Sequence, residues 1–411
     1  MSAGRLKIAM LSVHSCPIGE LGTKDTGGMS VYVRELARAL GKRGHLVDIF
    51  TRFHDPNDSQ IVELDENTRL IHLKAGPIAD INKLAIYPHL TDFVCDLERF
   101  TNLENREYDL VHSHYWLSGW VGEQLQSLWD IPHLAMFHTL AAVKKAIGVG
   151  EEEPELRLST EKELIQNCSR IIAATRREKD ELIRYYDAPP NNIGVVPCGV
   201  NLDLFKPMDK MDARKQLGLN HLENIALFVG RIDPLKGIDR LLKANTYLQN
   251  NQGFKLIIIG GDSNLKPEWL RLKKLSHELG VQDSVLFIGR VKQEELSLYY
   301  SAADVFVVSS HHESFGLVAL ESLACGTPVI ATKVGGIESI VQEGKTGNLV
   351  TGNIPRSFAD KIASILSNQD TVMKSPKYIR ASVIDYSWSN IAEAIIEQYR
   401  TTLKNRVDRA A

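Results

Sequence analysis

The sequence has little cysteine, and what it has is scattered. Its 411 residues include five cysteines that never form a C-x-x-C pair, at Cys16, Cys95, Cys168, Cys198 and Cys325. An odd number of isolated cysteines predicts neither a disulfide framework nor a zinc-ligand motif, because both require recurring short spacings. We therefore expect small core residues and a reducing compartment.

An excess of charge of one sign and long apolar runs are also missing. The chain has 48 Lys and Arg against 51 Asp and Glu, a formal net charge of −3, which argues against a nucleic-acid partner. No apolar stretch approaches the roughly 20 residues of a membrane span, so no membrane insertion is expected. The first residues lead directly into a short apolar run without a signal-peptide core, and a cytoplasmic location is the expectation.

What the sequence does have is a regular alternation of apolar runs and helical patterns, which predicts α/β architecture with parallel sheets covered by helices. The length suits two such domains. The predicted strands are Leu6–Val13, Leu46–Thr51, Leu70–Leu73, Leu110–Ser113, His133–Phe137, Ile171–Ala174, Ile193–Val196, Asn224–Val229, Lys255–Ile259, Val285–Ile288, Val305–Val308, Val329–Ala331 and Gly347–Val350. The turn-rich segment Pro197–Pro207 separates the two groups. We predict doubly wound domains at 1–200 and 201–385, and a helical segment at 386–411 that packs back onto the first domain.

Two glutamates stand eight residues apart near the C-terminus, Glu313 in a predicted strand-to-helix loop and Glu321 inside the helix. The backbone N–H groups of the first helical turn, at Phe315, Gly316 and Leu317, form a natural anion site between them. This arrangement suits a nucleotide sugar, whose hydroxyls need carboxylates and whose phosphates need amides. The alternative is that Glu313 caps the helix and Glu321 is a solvated surface charge.

The loop after the first strand carries a glycine pair, Gly27 and Gly28, at the start of a predicted helix. Paired glycines let the backbone approach an anion closely, and the helix dipole favours negative charge there. The pattern is not G-x-G-x-x-G, so it does not indicate a nicotinamide dinucleotide. A loop that uses glycine only for turn geometry is the alternative.

Basic residues follow another predicted strand, which ends at Val229. Arg231 supplies a planar fork and Lys236 a point charge, the combination that a departing diphosphate needs. Pairing of Arg231 with Asp233 on the surface is the alternative. Arg290 and Val291 follow a further strand end, whose backbone groups suit a nucleobase edge.

Histidines cluster at two strand ends of the first half, at His112, His114 and His138. His112 and His114 are two apart on a strand and lack a carboxylate or cysteine nearby, so no metal site is predicted there. A single positioned histidine, His138, fits a hydrogen-bonding or orienting role.

Together these motifs resemble, over nearly the full length, the retaining glycosyltransferases of the sucrose-synthase-like group (family 4), which have two Rossmann-like domains in the GT-B arrangement. The resemblance implies that Arg231 and Lys236 hold the donor diphosphate and that Glu313 contacts the transferred sugar. It also implies that Glu321 binds the ribose hydroxyls. The implied catalytic set is His138, Arg231, Lys236 and Glu313; the implied donor set adds Gly27, Gly28, Arg290, Val291, Phe315, Gly316, Leu317 and Glu321.

The first half is most similar to family members that join N-acetylglucosamine to inositol phosphate in mycothiol synthesis. Shared stretches begin at Asp25, His112 and His138. The implied acceptor set is His14, Asp25, Ser30, Lys83, Tyr115, Thr139 and Arg157. Those relatives have asparagine where this chain has Ser30, so fructose 6-phosphate, the acceptor of the related sucrose-phosphate synthases, is a rival to inositol phosphate.

The expected activity is transfer of a glucosyl-type sugar, glucose or N-acetylglucosamine, from a UDP-sugar to a soluble phosphorylated acceptor with retention of the anomeric configuration. No cofactor is required, because positive side chains take the place of a metal, although Mg²⁺ is compatible with the site. A homodimer is compatible with the resemblance. A UDP-sugar 2-epimerase and a non-catalytic nucleotide-sugar sensor are the alternatives from other functional classes.

Overall fold

A computed structural model describes residues 4–22, 26–149, 152–248, 253–261, 267–352, 354–367 and 375–410. Asp25, expected in the acceptor set, lies outside these ranges. The described chain is α/β, with two separate sheets that have helices on both faces. Within the described ranges, no helix combines the length and the apolar character needed to cross a membrane.

The first sheet contains eight strands in the order β3-β4-β2-β1-β5-β6-β7-β8, all parallel except the antiparallel edge pair β3 and β4. The strands are β1 Lys7–Leu11, β2 Leu46–Arg52, β3 Ile61–Asp65, β4 Thr68–Leu73, β5 Leu110–His114, β6 His133–Met136, β7 Arg170–Ala173 and β8 Ile193–Val195. Their helices are α1 Gly28–Lys42, α2 Lys83–Ile86, α3 Leu90–Leu103, α4 Trp116–Trp129, α5 Ala141–Ile147, α6 Glu155–Asn167 and α7 Arg176–Tyr186.

The second sheet contains six parallel strands in the order β11-β10-β9-β12-β13-β14. The strands are β9 Asn224–Val229, β10 Phe254–Ile259, β11 Val285–Gly289, β12 Val305–Val308, β13 Val329–Thr332 and β14 Gly347–Val350. The helices are α8 Lys210–Gln216, α9 Ile238–Asn245, α10 Pro267–Glu278, α11 Gln293–Ala302, α12 Leu317–Ala324, α13 Ile337–Ile340, α14 Pro355–Leu366, α15 Pro376–Ala381 and α16 Trp388–Ala410.

Side chains of the strands alternate between the apolar cores on the two faces of a sheet. In β1, Ile8 and Met10 join a core that also contains Leu227 of β9, whereas Ala9 and Leu11 join the core on the opposite face. A third core covers the far face of the second sheet. Strands buried on both faces read as continuous apolar runs, which is why the sequence pattern located them.

All thirteen predicted strands are present, with ends within two residues of the prediction, and the α/β doubly wound prediction is confirmed. The structure adds β3, Ile61–Asp65, which the sequence analysis missed. This strand pairs only with β4 at the sheet edge, and none of its residues is fully buried. It therefore lacks the apolar run that marks the other strands.

The order of the strands determines where a ligand can enter each sheet. In the first sheet the chain runs from β1 outward to β4 and then starts again at β5 on the other side. In the second sheet it runs from β9 to β11 and starts again at β12. Loops diverge at such switch points and leave a crevice at the carboxyl ends of the strands. The loops after β1, β5, β9 and β12 are thus the ones that form a site.

The last helix, α16, returns to the first sheet. It begins at Trp388 and ends at Ala410, within the predicted segment 386–411. Its Tyr399 hydroxyl lies 2.8 Å from Nδ1 of His112 on β5, and the Trp388 ring lies 5.4 Å from that of Tyr32 on α1. Through these contacts the last helix packs against β5 and α1 of the first sheet.

Candidate active site

The loops after β9 and β12 lie against each other and bring Lys236 to Glu313. Lys236 ends a short 3₁₀ turn, Pro234–Lys236, and its Nζ lies 2.7 Å from Oε2 of Glu313. Ser309 Oγ donates to the backbone carbonyl of Lys236 at 2.8 Å, and Ser310 Oγ donates to Glu313 Oε2 at 3.2 Å. The two loops therefore form one polar unit at the switch point of the second sheet.

The Glu313 carboxylate is held in its ionised form. Burial alone would raise the pKa of Glu313, but the Lys236 ammonium and the Ser310 hydroxyl together hold that pKa below its ordinary value. The first residue of α12 is Leu317, and the helix is capped by Gly316 without a side-chain hydrogen bond. The alternative that Glu313 caps this helix is therefore wrong.

Two glycines allow the Glu313 loop to pack so closely. At Gly335, with φ +53°, an added Cβ would lie 1.6 Å from the carbonyl oxygen of Glu313. At Gly237, with φ +63°, it would lie 2.3 Å from the carbonyl oxygen of Ser309. Backbone cannot yield at such distances, so both positions require glycine for the loops to keep their places.

Glu321 is buried, with 7% of its surface exposed, and faces α11. The Tyr300 hydroxyl donates to its Oε2 at 2.8 Å. Burial raises the pKa of Glu321 to about 7, against the lowering effect of hydrogen bonds from Tyr300 and Gln293. The alternative of a solvated surface charge is therefore wrong. Tyr300 and Gln293 were missed in the sequence because a helical position alone does not reveal a partner on another helix.

The remaining cations at the carboxyl edge are more exposed. Arg231 has 40% of its side chain exposed and lies 3.7 Å from Asp233, the surface contact that was the alternative. Arg290 reaches across to the first half of the chain, where its guanidinium lies 2.7 Å from Glu20 Oε2. Val291 follows it and is partly buried against the core between the two sheets.

The glycine pair of the first half lies opposite the start of α12. A Cβ on Gly28 would stand 3.4 Å from Leu317 Cδ1, whereas a Cβ on Gly27 would meet no atom within 4 Å. Gly27 has φ −172°, an extended conformation open to any residue. Turn geometry, the alternative for this pair, therefore does not explain Gly27, and the space beside its backbone is open.

Tyr115 is the centre of a basic cluster in the first half. The guanidinium of Arg157 lies 4.7 Å from the Tyr115 ring centre, Lys83 Nζ lies 5.7 Å from it, and the His14 ring is 4.4 Å away. Arg157 also donates to Thr139 Oγ1 at 3.0 Å. Five residues that are far apart in sequence thus converge at the switch point of the first sheet.

The guanidinium of Arg157 is held in place by two carboxylates. Its Nη1 lies 2.6 Å from Glu153 and its Nε 2.7 Å from Glu161. Arg157 is buried, with 2% exposed. Burial lowers the pKa of His14 well below its ordinary value, and the charges of Lys83 and Arg157 lower it further. His14 is therefore neutral in this basic surrounding and able to accept or donate a hydrogen bond.

Ser30 lies deeper than the rest of the expected acceptor set. It is fully buried in the first turn of α1, and its Oγ lies 2.6 Å from that of Ser15. The backbone N–H of Gly27 donates to the same hydroxyl at 3.3 Å. Ser30 therefore hydrogen-bonds to the backbone of the glycine loop from its buried side.

Two residues at the crevice have left-handed backbone conformations, Tyr115 with φ +77° and His138 with φ +60°. Such conformations cost on the order of 1–3 kcal/mol in a side chain other than glycine and concentrate at functional sites. His138 Nε2 lies 3.0 Å from His114 Nδ1, and burial lowers the pKa of His138 to about 3. A neutral His138 is suited to orienting a ligand by hydrogen bonding.

The two halves of the site meet in one narrow cleft. Thr139 of the basic cluster and His312 and Ser314 of the Glu313 loop line the same space, together with Glu178 and Gly335. Of the expected acceptor residues, Thr139 lines this cleft, together with residues of the loop that carries Glu313. The sequence analysis did not select His312, because this histidine directly precedes Glu313 and belongs to no spacing pattern that would indicate a function.

Comparisons with known proteins agree with this geometry. Residues 26–204 match the family described as Glycosyltransferase Family 4, and residues 209–382 match Glycosyl transferases group 1. The chain is 38% identical over 410 residues to a D-inositol 3-phosphate glycosyltransferase of Corynebacterium glutamicum (strain R), covering 97% of this chain and 98% of the relative. It is 39% identical over 403 residues to the protein of the same name from Corynebacterium jeikeium (strain K411), covering 96% of each.

A solved structure is similar over the whole chain. Sucrose-phosphate synthase from Thermosynechococcus elongatus superposes with a TM-score of 0.89 at 36% identity, covering 98% of this chain and 100% of that protein. The predicted GT-B arrangement is thereby confirmed.

Proposed function

This chain belongs to the glycosyltransferase family that the group 1 and family 4 descriptions define, and from that premise we propose that it transfers a glucosyl-type sugar from a UDP-sugar to inositol phosphate. Two relatives named D-inositol 3-phosphate glycosyltransferase share 38% and 39% identity with it over nearly their full length. A phosphorylated compound appears in the names of both the relatives and the similar synthase, which supports a phosphorylated acceptor.

The cluster around Tyr115 carries this proposal. A phosphate dianion needs several donors with positive charge among them, and Lys83, Arg157 and the hydroxyls of Tyr115 and Thr139 provide that set. Because Glu153 and Glu161 fix the guanidinium of Arg157, the donors are in place before the acceptor arrives. Preorganisation of this kind reduces the entropy lost on binding.

On the donor side, Lys236, Arg231 and the amides at the start of α12 bind the diphosphate. These groups stabilise the negative charge that develops as the bond between sugar and phosphate breaks. Glu313, ionised and held by Lys236, accepts hydrogen bonds from hydroxyls of the transferred sugar. Glu321 binds the ribose of the nucleotide, and Arg290 and Val291 flank its base.

The transfer retains the anomeric configuration. The acceptor hydroxyl attacks the anomeric carbon on the face from which the diphosphate leaves, and the departing phosphate oxygen takes the proton of that hydroxyl. His138 orients the reacting groups as a neutral imidazole, since its pKa of about 3 excludes a charged form near neutral pH. Closure of the cleft around both substrates excludes water that would hydrolyse the donor.

No metal ion is needed at the diphosphate in this scheme, because Lys236, Arg231 and the helix amides supply the positive field that Mg²⁺ provides in other enzymes. The corresponding expectation is that turnover proceeds without added Mg²⁺.

A second candidate is a sucrose-phosphate synthase activity with UDP-glucose and fructose 6-phosphate. The observation that favours it is the TM-score of 0.89 and 36% identity to such a synthase. Ser30, in place of the asparagine that the resemblance implies for the inositol phosphate relatives, leaves the acceptor open between the two. The basic cluster suits the phosphate of either acceptor.

UDP release by the purified protein tests the proposal. UDP-glucose and UDP-N-acetylglucosamine are each offered with inositol phosphate and with fructose 6-phosphate. Turnover with inositol phosphate supports the proposal, and turnover only with fructose 6-phosphate supports the second candidate. Conversion of UDP-N-acetylglucosamine without any acceptor would replace both with an epimerase, and binding of UDP-sugar without turnover would indicate a sensor.

A further inference from the structure

Three metal-ligating side chains converge behind the loop that leads to the glycine pair. Cys16 lies in the loop after β1, His54 follows β2, and His72 is on β4. The Cys16 sulfur and one ring nitrogen of each histidine all lie within 4.8 Å of one another. Cys16 and His72 are buried, with 6% and 0% exposed. None of the three belongs to the donor or acceptor sets.

A carboxylate lies beside the two histidines of this group. Oδ2 of Asp58 lies 3.1 Å from Nδ1 of His54 and 3.7 Å from Nε2 of His72. The His54 Nδ1 and Asp58 Oδ2 atoms are both buried, and their 3.1 Å contact does not have hydrogen-bond geometry. Buried polar atoms of native proteins are hydrogen-bonded in the great majority of cases, so a cation bound by both atoms would account for this contact.

The orientation of His72 directs its second nitrogen into the group. Nδ1 of His72 lies 2.7 Å from the backbone carbonyl of Ser59, which can only accept, so Nδ1 carries the proton. Nε2 therefore presents its lone pair toward Cys16 Sγ at 3.6 Å. A carbonyl that fixes the tautomer of a histidine is the usual outer contact of a metal-bound imidazole.

Three separations among these side chains match those of a tetrahedral zinc ion. Zinc bonds of about 2.3 Å to sulfur and about 2.0–2.1 Å to nitrogen or oxygen place sulfur and nitrogen ligands about 3.6 Å apart, and nitrogen and oxygen ligands about 3.3 Å apart. The measured separations are 3.6 Å for sulfur to nitrogen and 3.1 and 3.7 Å for nitrogen to oxygen. Mixed sulfur, imidazole and carboxylate ligands suit zinc.

We infer that Cys16, His54 and His72, with Asp58 drawn in as the fourth ligand, form a zinc site that anchors the loop after β1 to the carboxyl edge of β2 and β4. On binding, the Cys16 thiol loses its proton to solvent and its sulfur forms the bond to zinc, so one proton is released from the thiol. The role is structural: the anchored loop carries His14 on one side of Cys16 and leads to Gly27 on the other. The local sequence contains no zinc spacing, because the ligands come from three separate loops and strands.

Metal content and cobalt substitution test the site in the full-length protein. The protein is stripped with a chelator, reloaded with Zn²⁺ and passed through a desalting column, and its zinc is counted. We expect one zinc per chain and an unfolding temperature that rises with zinc. Loading with Co²⁺ is expected to produce the thiolate-to-cobalt charge-transfer absorption and the intense visible bands of tetrahedral cobalt.

Variants separate this site from other thiols. C16S is expected to lose the charge-transfer absorption, and D58N to weaken zinc retention at least about tenfold, the scale of a lost metal contact. The buried Cys168 and the exposed Cys95 supply controls, since C168S and C95S are expected to keep both the stoichiometry and the spectrum. A wild-type protein that keeps less than a tenth of an equivalent of zinc, or a cobalt spectrum without the thiolate absorption, overturns the inference even if C16S fails to fold.

Discussion

The ammonium of Lys236 lies 2.7 Å from the carboxylate of Glu313, although 77 residues separate the two along the chain. The contact exists because β9 and β12 are neighbours in the sheet, so the loops that follow them leave from the same edge. It holds Glu313 ionised and places a positive charge at the proposed position of the donor diphosphate.

Replacing Lys236 with alanine is expected to lower kcat at least about 100-fold, the scale of losing one donor that stabilises charge in the transition state. Steady-state UDP release measures the loss. Lys243→Ala is the matched control, because Lys243 lies on the following helix with half of its side chain exposed and pairs with Asp239. Near-normal turnover in the Lys236 variant would remove this residue from its assigned role.

Replacing Lys83 with alanine is expected to reduce kcat/KM for the phosphorylated acceptor about 10- to 100-fold, because a charge-assisted hydrogen bond contributes about 1.5–3 kcal/mol. The dissociation constant for UDP, measured by calorimetry, is expected to stay unchanged. Lys145→Ala on the exposed side of α5 serves as the control. Weaker UDP binding with an unchanged acceptor KM would place Lys83 on the donor side.

Replacing Gly335 with alanine is expected to displace the Glu313 loop, because the new Cβ would lie 1.6 Å from the Glu313 carbonyl oxygen. Turnover should fall at least about tenfold together with the unfolding temperature. Gly344 has a comparable positive φ of +69° and no atom near an added Cβ, so Gly344→Ala measures the effect of backbone strain alone. Equal effects of the two substitutions would refute the steric argument.

The buried carboxyl of Glu321 makes stability depend on pH. Its pKa is raised from 4.5 to about 7 in the folded state, so the folded chain retains a proton that the unfolded chain releases. The stability that this proton provides is present below about pH 4.5 and is lost as the pH rises through about 7. Glu321→Gln removes this dependence.

Thermal unfolding of the wild type and of Glu321→Gln at pH 5.5 and pH 8 tests that dependence. The unfolding temperature of the variant, relative to that of the wild type, is expected to be higher at pH 8 than at pH 5.5. A difference between the two proteins that stays constant across this range would show that Glu321 does not titrate in it.

The fold could be predicted largely because parallel strands are buried on both faces and therefore appear as continuous apolar runs. The edge strand Ile61–Asp65 escaped detection because it is half exposed and has no such run. The general position of the site followed from the same pattern, since polar residues after strand ends collect at one edge of a sheet.

Contacts between distant segments could not be predicted from local patterns. The partner of Glu321 is Tyr300 on a neighbouring helix, and Arg157 reaches Tyr115 across a gap of 42 residues in sequence. Only the resemblance to a family grouped the acceptor residues before the structure did. The cluster of Cys16, His54 and His72 was missed for the same reason, because no spacing rule connects these three positions.

If the cluster around Tyr115 binds the phosphate of the acceptor, removal of that phosphate must weaken catalysis. We would measure kcat/KM for UDP release with inositol phosphate and with inositol, and likewise with fructose 6-phosphate and with fructose. The phosphorylated member of the productive pair is expected to be preferred at least about 100-fold, the combined scale of two charge-assisted contacts. Equal rates with and without the phosphate would contradict it.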